Sequence, residues 1–129
     1  MNSKVALVID DNRTNIQVIE TLLETQHVRT IAITNPQKVA TLISDIETPD
    51  IVFLDLEMPG LNGYDILKLL KENQRMIDVP VVAYSVHTGQ FTDARAAGFH
   101  SFIPKPLDFK RFPGQLARIL SGERVWEPH

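Results

Sequence analysis

Five side chains that can bind or react with charged groups stand at the ends of apolar runs in the sequence. They are Asp10, Asp11, Asp55, Ser85 and Lys105. Each has a simple explanation when taken alone, because an acid can cap a helix or lie in a turn, and a lysine can be a solvated loop cation. Their joint placement is harder to explain in this way, since such run ends offer few positions.

The three carboxylates would repel one another if the fold brought them together. Two carboxylates about 4 Å apart cost roughly 4 kcal/mol at an effective dielectric constant near 20. A divalent cation relieves this repulsion, and Mg²⁺ prefers oxygen ligands while keeping part of its water shell. Lys105 supplies a second, fixed positive charge.

A cation, a lysine, a hydroxyl and a projecting carboxylate are together suited to receive a phosphoryl group. The cation and Lys105 offset charge on the phosphoryl oxygens, and the Ser85 hydroxyl donates a hydrogen bond to one of them. A carboxylate can then act as the nucleophile and form an acyl phosphate. Asp55 is the candidate nucleophile, because it ends the apolar run Ile51–Leu54.

The apolar runs themselves predict the elements that must position these groups. They are continuous and rich in β-branched and aromatic residues, as expected of parallel strands buried on both faces. The runs are Val5–Ile9, Thr30–Ile33, Ile51–Leu54, Val81–Tyr84 and Ser101–Ile103.

The gaps between the runs predict five helices. Capping residues at 11–12, 35–36 and 62–63 mark the beginnings of the first three. The fourth, within 88–97, has little apolar surface to bury. The last is expected to begin near Pro113, because a proline deeper inside a helix clashes with a carbonyl.

Five alternations of strand and helix predict an α/β fold, a three-layer sandwich with right-handed crossovers. Ligands of such sheets bind beyond the carboxyl ends of the strands. The five side chains should therefore meet at one edge of the sheet.

Size and composition restrict the class of protein. The chain of 129 residues has a formal net charge of −3, which disfavours direct binding to nucleic acid. It has no cysteine, which excludes disulfides and fits the cytoplasm. Its apolar runs are too short to span a bilayer, so we expect a cytoplasmic protein that does not bind membranes.

The motifs VIDDN, FLDLEMPGLNG, Ser85 and FIPKP occur in an order and spacing that resemble the receiver domains of two-component response regulators. The similarity extends from about Lys4 to Leu120. It implies a flavodoxin-like (βα)5 fold with a five-stranded parallel sheet in the order 2-1-3-4-5. The receiver domain is expected at 1–122 and a poorly ordered C-terminal tail at 123–129.

The resemblance also implies roles for individual residues. Asp55 would accept the phosphoryl group, and Ser85 and Lys105 would bind its oxygens. Lys105-Pro106 would be a cis peptide bond, and Phe102 would be the aromatic residue that changes rotamer with Ser85. Mg²⁺ would be bound directly by Asp11, directly or through water by Asp10, and by Asp55 and the backbone carbonyl of Glu57.

A phosphoacceptor role follows from the same resemblance. The donor would be a sensor histidine kinase or a phosphotransfer protein. Phosphorylation would change the face formed by the fourth helix, fifth strand and last helix, where a downstream protein target would bind. Such a domain catalyses only its own phosphotransfer and dephosphorylation, so it is not an enzyme in the ordinary sense.

The sequence departs from the family pattern near the expected site. Val86 stands where the family usually has alanine or glycine, and Glu57 and His87 flank the expected path of the attacking water. We expect these three residues to modulate access and Val86 to slow hydrolysis. Phe102 also lacks the hydroxyl of a tyrosine, which predicts a softer switch.

Three other functions compete with this interpretation. The main alternative is a docking module that keeps the fold but works without phosphorylation. A haloacid-dehalogenase-like phosphatase would place its acid-X-acid motif after the first strand, whereas Asp55-Leu56-Glu57 follows the third. A flavin-binding protein would need a hydroxyl-rich loop after the first strand, where this chain has DDNRTN.

Overall fold

Five parallel strands form one sheet in the order β2-β1-β3-β4-β5. The computed structural model describes residues 3–60 and 62–126. Leu61 of the FLDLEMPGLNG motif and the last part of the expected tail lie outside these residues. The strands are β1 Lys4–Ile9, β2 Val28–Ile33, β3 Ile51–Asp55, β4 Val81–Ser85 and β5 Ser101–Pro104.

Helices connect the strands in every crossover. They are α1 Arg13–Thr25, α2 Val39–Leu42, α3 Gly63–Lys71, α4 Phe91–Ala97 and α5 Phe112–Leu120. Short 3-10 helices at Pro36–Lys38 and Thr88–Gln90 precede α2 and α4. Within the described part of the chain, no helix has both the length and the apolar character needed to cross a bilayer.

The helices cover both faces of the sheet and create two apolar cores. Alternate strand residues point to opposite faces, so Ala6 and Val8 pack with α1 and α5, whereas Leu7 and Ile9 pack with α2, α3 and α4. This arrangement confirms the predicted three-layer α/β sandwich and the strand order 2-1-3-4-5.

Side-chain caps fix where the helices begin, largely as the sequence predicts. The Asn12 side chain accepts a hydrogen bond from the Asn15 N–H at 3.0 Å, and Asn62 accepts one from the Tyr64 N–H at 2.8 Å. Helix α5 begins at Phe112 with Pro113 in its first turn, which confirms the expected beginning near that proline.

Helix α2 is shorter than its apolar pattern indicates. That pattern extends to residue 46, but the α-helix ends at Leu42. Arg75 binds the backbone carbonyls beyond this end, with its guanidinium 3.2 Å from the Ile43 oxygen and 3.1 Å from the Ser44 oxygen. These bonds replace those that a longer helix would have made.

The chain after Gly122 returns to the sheet. The Phe102 N–H donates to the Val125 carbonyl at 2.8 Å, and the Val125 N–H donates to the Ser101 hydroxyl at 2.9 Å. Val125 is fully buried, and the Trp126 ring lies 5.2 Å from that of Phe91 and 6.4 Å from that of Phe102. The expectation of poor order is therefore wrong for residues 123–126, and residues 127–129 lie outside the described part.

Candidate functional site

The carboxyl edge of the sheet brings together all five side chains that the sequence singles out. Asp10 and Asp11 follow β1, Asp55 and Ser85 are the last residues of β3 and β4, and Lys105 follows β5. Parallel register explains the meeting, because Ile9 lies opposite Leu54 and the next residues are the two buried acids. The predicted placement at one edge is confirmed.

Asp10, Asp11 and Asp55 form an acidic cluster whose ligand oxygens all lie within 4.8 Å of one another. Asp10 and Asp55 are buried, whereas Asp11 is exposed. A set of carboxylate oxygens without nitrogen or sulfur suits Mg²⁺, and an exposed member leaves a side open to water. The cluster therefore fits the predicted ion, and the ligand role of the Glu57 carbonyl stays a prediction.

The Asp55 carboxylate is held by two donors. Its Oδ1 accepts hydrogen bonds from the Lys105 Nζ at 2.6 Å and from the Glu57 N–H at 2.9 Å. Burial raises the pKa of Asp55 above its usual value, and the neighbouring Asp10 adds to this rise, while Lys105 and the Glu57 N–H oppose it. Asp55 is thus a desolvated carboxylate whose ionised form is stabilised by Lys105 and the Glu57 N–H.

Lys105 reaches Asp55 from the far side of β4. Its backbone N–H donates to the Ser85 carbonyl at 2.9 Å, and the Lys105-Pro106 peptide bond is cis, as predicted. The ammonium lies 4.6 Å from the centre of the Tyr84 ring, where a cation–π contact adds to the ion pair. The lysine side chain is only 12% exposed.

The Glu57 side chain binds the end of β4. One carboxylate oxygen accepts from the Ser85 hydroxyl, and the other accepts from the Val86 N–H at 3.0 Å. The Lys105 Nζ lies 3.4 Å from the second oxygen. The His87 N–H in turn donates to the Ser85 Oγ at 2.9 Å. Ser85 thus contacts Glu57 and His87, which were both predicted to lie near the site.

Tyr84 is a site residue that the sequence pattern does not reveal. Its hydroxyl donates to Asp10 Oδ2. Burial and this bond raise the pKa of Tyr84 well above its usual value, so the phenol stays protonated and donates its hydrogen bond. The pattern predicts only an apolar strand residue here, although a buried tyrosine needs a partner for its hydroxyl and the last residue of β3 lies opposite it.

An open cleft of about 630 Å³ lies at this edge of the sheet. Its walls include Asp11, Asp55, Glu57, Val86 and Lys105. Val86 is 54% exposed, which places an apolar side chain at the entrance. This position agrees with the predicted effect of Val86 on access, although the effect itself stays a prediction.

Phe102 is fully buried and its ring lies 5.6 Å from that of Phe91 in α4. The family resemblance predicts that the Phe102 side chain changes rotamer, turning inward, when Ser85 moves. Here the ring is already inside, beneath Phe91 and Trp126. Any rearrangement of Phe102 must therefore involve these two rings as well.

Comparison with known proteins gives the same family. The profile of the response regulator receiver domain matches residues 6–117. The chain is 26% identical over 111 residues to the polar-differentiation response regulator DivK of Brucella anthropi, covering 84% of this chain and 89% of DivK. It is 28% identical over 122 residues to protein RcaC of Microchaete diplosiphon, covering 93% of this chain but 19% of RcaC.

Solved structures share the fold. The chemotaxis protein CheY4 of Vibrio cholerae matches with a TM-score of 0.81 at 16% identity, covering 92% of this chain and 99% of CheY4. The receiver domain of the sensor histidine kinase PA1611 of Pseudomonas aeruginosa, solved with a magnesium ion in its active-site cleft, matches with a TM-score of 0.76 at 22% identity. That match covers 93% of this chain and 96% of the PA1611 domain. The chain belongs to the response regulator receiver domains, the phosphoacceptor modules of two-component signalling.

Proposed function

We propose that Asp55 is the phosphoacceptor, and that its phosphoryl group comes from the phosphohistidine of a sensor histidine kinase or a phosphotransfer protein. The observation that carries this assignment is the position of Asp55, which lies in the acidic cluster and 2.6 Å from the Lys105 ammonium. A buried carboxylate held in this way presents its oxygen in a fixed orientation, which favours attack on an incoming phosphorus atom.

In the transfer, a carboxylate oxygen of Asp55 forms a bond to phosphorus. The bond from phosphorus to the donor imidazole nitrogen breaks, and its electron pair stays on that nitrogen. The product is an acyl phosphate on Asp55. Lys105 and the Ser85 hydroxyl bind the phosphoryl oxygens as the negative charge shifts onto the protein.

Asp10, Asp11, Asp55 and the Glu57 carbonyl would hold Mg²⁺. When bound, this ion offsets negative charge on the phosphoryl oxygens and on the acidic cluster. Asp11 is exposed, whereas Asp10 is buried and fixed by the Asn12 N–H at 2.8 Å and by the Tyr84 hydroxyl. These contacts support Asp10 as the rigid member of the set.

The signal would pass from Ser85 to the face formed by α4, β5 and α5. A phosphoryl group on Asp55 offers Ser85 a new acceptor, which favours a conformation with the end of β4 drawn inward. Phe102 on β5 would move with it, and its contacts with Phe91 and Trp126 would carry the change to α4. A downstream protein target would bind this face.

The remaining assignments follow from this role. We place the protein in the cytoplasm and limit its catalysis to its own phosphotransfer and dephosphorylation, with access modulated by Glu57, Val86 and His87. The boundary between a receiver domain at 1–122 and a tail at 123–129 stays a proposal. The contacts of Val125 and Trp126 favour a receiver unit that includes the first part of this tail.

Intact mass measurement after incubation with acetyl phosphate and Mg²⁺ tests the assignment. The phosphorus–oxygen bond to acetate breaks in this reaction, so each modified chain gains one phosphoryl group. The protein and the matched variant Asp65→Asn, changed at an exposed acid of α3, should both gain the adduct. Asp55→Asn should not. No adduct on any of the three would instead favour a docking module that works without phosphorylation.

A further inference from the structure

We infer that the Glu57 side chain occupies the phosphoryl-binding position of the unmodified protein and must leave it before Asp55 can be loaded. This inference rests on the proposed function, because it concerns the donors assigned there to the phosphoryl oxygens. Glu57 would therefore be an internal competitor that sets how readily the site accepts a phosphoryl group.

The donors around Glu57 carry the inference. Its two carboxylate oxygens contact the Ser85 hydroxyl, the Val86 N–H at 3.0 Å and the Lys105 ammonium at 3.4 Å. Ser85 and Lys105 are the groups proposed to bind the phosphoryl oxygens, and the Val86 N–H is a third donor beside them. A carboxylate satisfies such donors because it is an anion with several acceptor lone pairs.

Glu57 is separate from the acidic cluster that could hold a cation. Within the described residues that cluster consists of Asp10, Asp11 and Asp55. The Glu57 carboxylate instead faces the positive and hydrogen-donating side of the cleft. Its side chain is 23% exposed, which is low for a glutamate, and it lines the open cleft through which it can leave.

Glu57 and a phosphoryl group cannot use these donors together. Lys105 already contacts both Asp55 and Glu57, so a phosphoryl group on Asp55 would bring further negative charge against the Glu57 carboxylate. Two negative groups that contact the same ammonium lie close together, and they repel each other strongly in a partly desolvated site. Loading therefore requires Glu57 to swing toward solvent, and loss of the phosphoryl group lets it return.

This competition lowers the apparent affinity of the site for any phosphoryl-like anion. When a binding position is open for only a fraction of the time, the apparent dissociation constant rises by the inverse of that fraction. If Glu57 occupies the position in about nine molecules of ten, its removal should tighten anion binding about tenfold.

Titration with beryllium fluoride in saturating Mg²⁺ measures this affinity, because the probe forms a tetrahedral anion on a carboxylate oxygen. Three variants separate the occupancy of the phosphoryl-binding position by the Glu57 side chain from the negative charge of that side chain. Glu57→Ala removes both, Glu57→Asp keeps the charge but is one methylene shorter, and Glu57→Gln keeps the length but loses the charge. Glu72→Ala, at an exposed glutamate just after α3, controls for an unrelated loss of charge.

We expect Glu57→Ala and Glu57→Asp to bind beryllium fluoride about tenfold more tightly than the wild-type protein, and Glu72→Ala to bind it equally well. The Mg²⁺ affinity of Glu57→Asp, measured without the probe, should stay within about twofold, since its charge is kept. A merely structural role for Glu57 would weaken both kinds of binding.

Two results would overturn this inference alone. The first is an equal affinity for beryllium fluoride in all the proteins. The second is tighter binding of beryllium fluoride by Glu57→Ala and Glu57→Gln, while Glu57→Asp matches the wild-type protein. The second result would mean that charge, and not occupancy, governs the affinity. Failure of the wild-type protein to bind the probe with Asp55 intact overturns both this inference and the proposed function.

Discussion

The Lys105 ammonium lies 2.6 Å from the Asp55 carboxylate, although 50 positions of the chain separate the two residues. Strand β4 lies between β3 and β5, so the lysine side chain crosses its end to reach the acid. The pair is almost completely removed from solvent. The pKa of Asp55 is nevertheless raised, because burial raises it more than the hydrogen bonds from Lys105 and the Glu57 N–H lower it.

Replacing Asp55 by asparagine should stabilise the metal-free protein. A carboxyl group whose folded-state pKa lies above its unfolded value of 3.8 is less stable when ionised, so its ionisation near neutral pH reduces the free energy of unfolding. We expect a gain in the free energy of unfolding, and with it a higher Tm. Denaturant unfolding in EDTA at pH 7 measures it.

The gain should shrink as the pH falls toward the unfolded pKa of 3.8, because the raised pKa lets Asp55 become protonated in the folded protein first, and it should vanish below that pH, where Asp55 is protonated in both states. Asp65→Asn, at an exposed position, provides the control. A lower free energy of unfolding for Asp55→Asn at pH 7 would mean that the ion pair with Lys105 outweighs the cost of burial.

Replacing Tyr84 by phenylalanine should destabilise the metal-free protein by about 1–3 kcal/mol, because buried Asp10 would lose a hydrogen-bond donor. Saturating Mg²⁺ should reduce the loss, since the ion gives the same carboxylate a positive partner. Tyr64→Phe is a matched control. Its hydroxyl makes a longer bond of 3.3 Å to the Gln90 side chain in a partly buried setting. Equal losses in the two variants would contradict a special role for Tyr84.

Trp126 should report phosphorylation through its fluorescence. It is the single tryptophan of the chain and contacts both Phe91 on α4 and Phe102 on β5. If the Ser85–Phe102 movement occurs, addition of acetyl phosphate and Mg²⁺ should change the emission and the change should decay with the acyl phosphate. Asp55→Asn should give no change. A signal that stays constant while the mass adduct accumulates would show that Phe102 does not move.

Val86→Ala should shorten the lifetime of the acyl phosphate. The smaller side chain opens the entrance of the cleft to the attacking water, and a roughly two- to tenfold faster decay corresponds to about 0.4–1.4 kcal/mol in the barrier. Decay of the intact-mass adduct after removal of acetyl phosphate provides the rate. Val18→Ala, at another partly exposed valine lining the cleft, is the control. Unchanged loading and decay in Val86→Ala would contradict the access role.

His100 should make stability depend on pH. Burial lowers the pKa of His100 below 6.5, and the charges of Arg124 and Lys71 lower it further, whereas a hydrogen bond involving Gly122 raises it. The unfolded chain therefore takes up a proton near pH 6.5 before the folded protein does, so stability falls as the pH drops through this region. Tm measured from pH 7.5 to 5.5 should fall less steeply in His100→Asn. An unchanged slope would exclude His100 as a source.

Local pattern was enough to predict the strands and the main site residues. Continuous apolar runs mark all five strands, and the run ends place Asp55 and its partners at one edge because the sheet is parallel. The bounds differ by a residue or two, as at β2, which begins at Val28 and not at Thr30. Pattern gives the type of an element more reliably than its ends.

Side-chain pairings could not be predicted in this way. The bond from Tyr84 to Asp10 depends on how far a ring reaches across a sheet edge, and the bonds from Glu57 to Ser85 and Val86 depend on the path of a loop. The carbonyls beyond the early end of α2 are bound by Arg75, which is distant in sequence. Each is a tertiary contact that no local periodicity encodes.

The segment at 123–126 also determines what the outer side of β5 offers to other chains. A terminal strand has unpaired N–H and C=O groups that invite strand addition, and thus aggregation or β-augmentation. The Phe102 N–H is already paired with the Val125 carbonyl, and Trp126 forms a parallel bridge to Phe102. An incoming extended peptide would first have to displace these residues, so this side of the molecule is protected against edge-to-edge self-association.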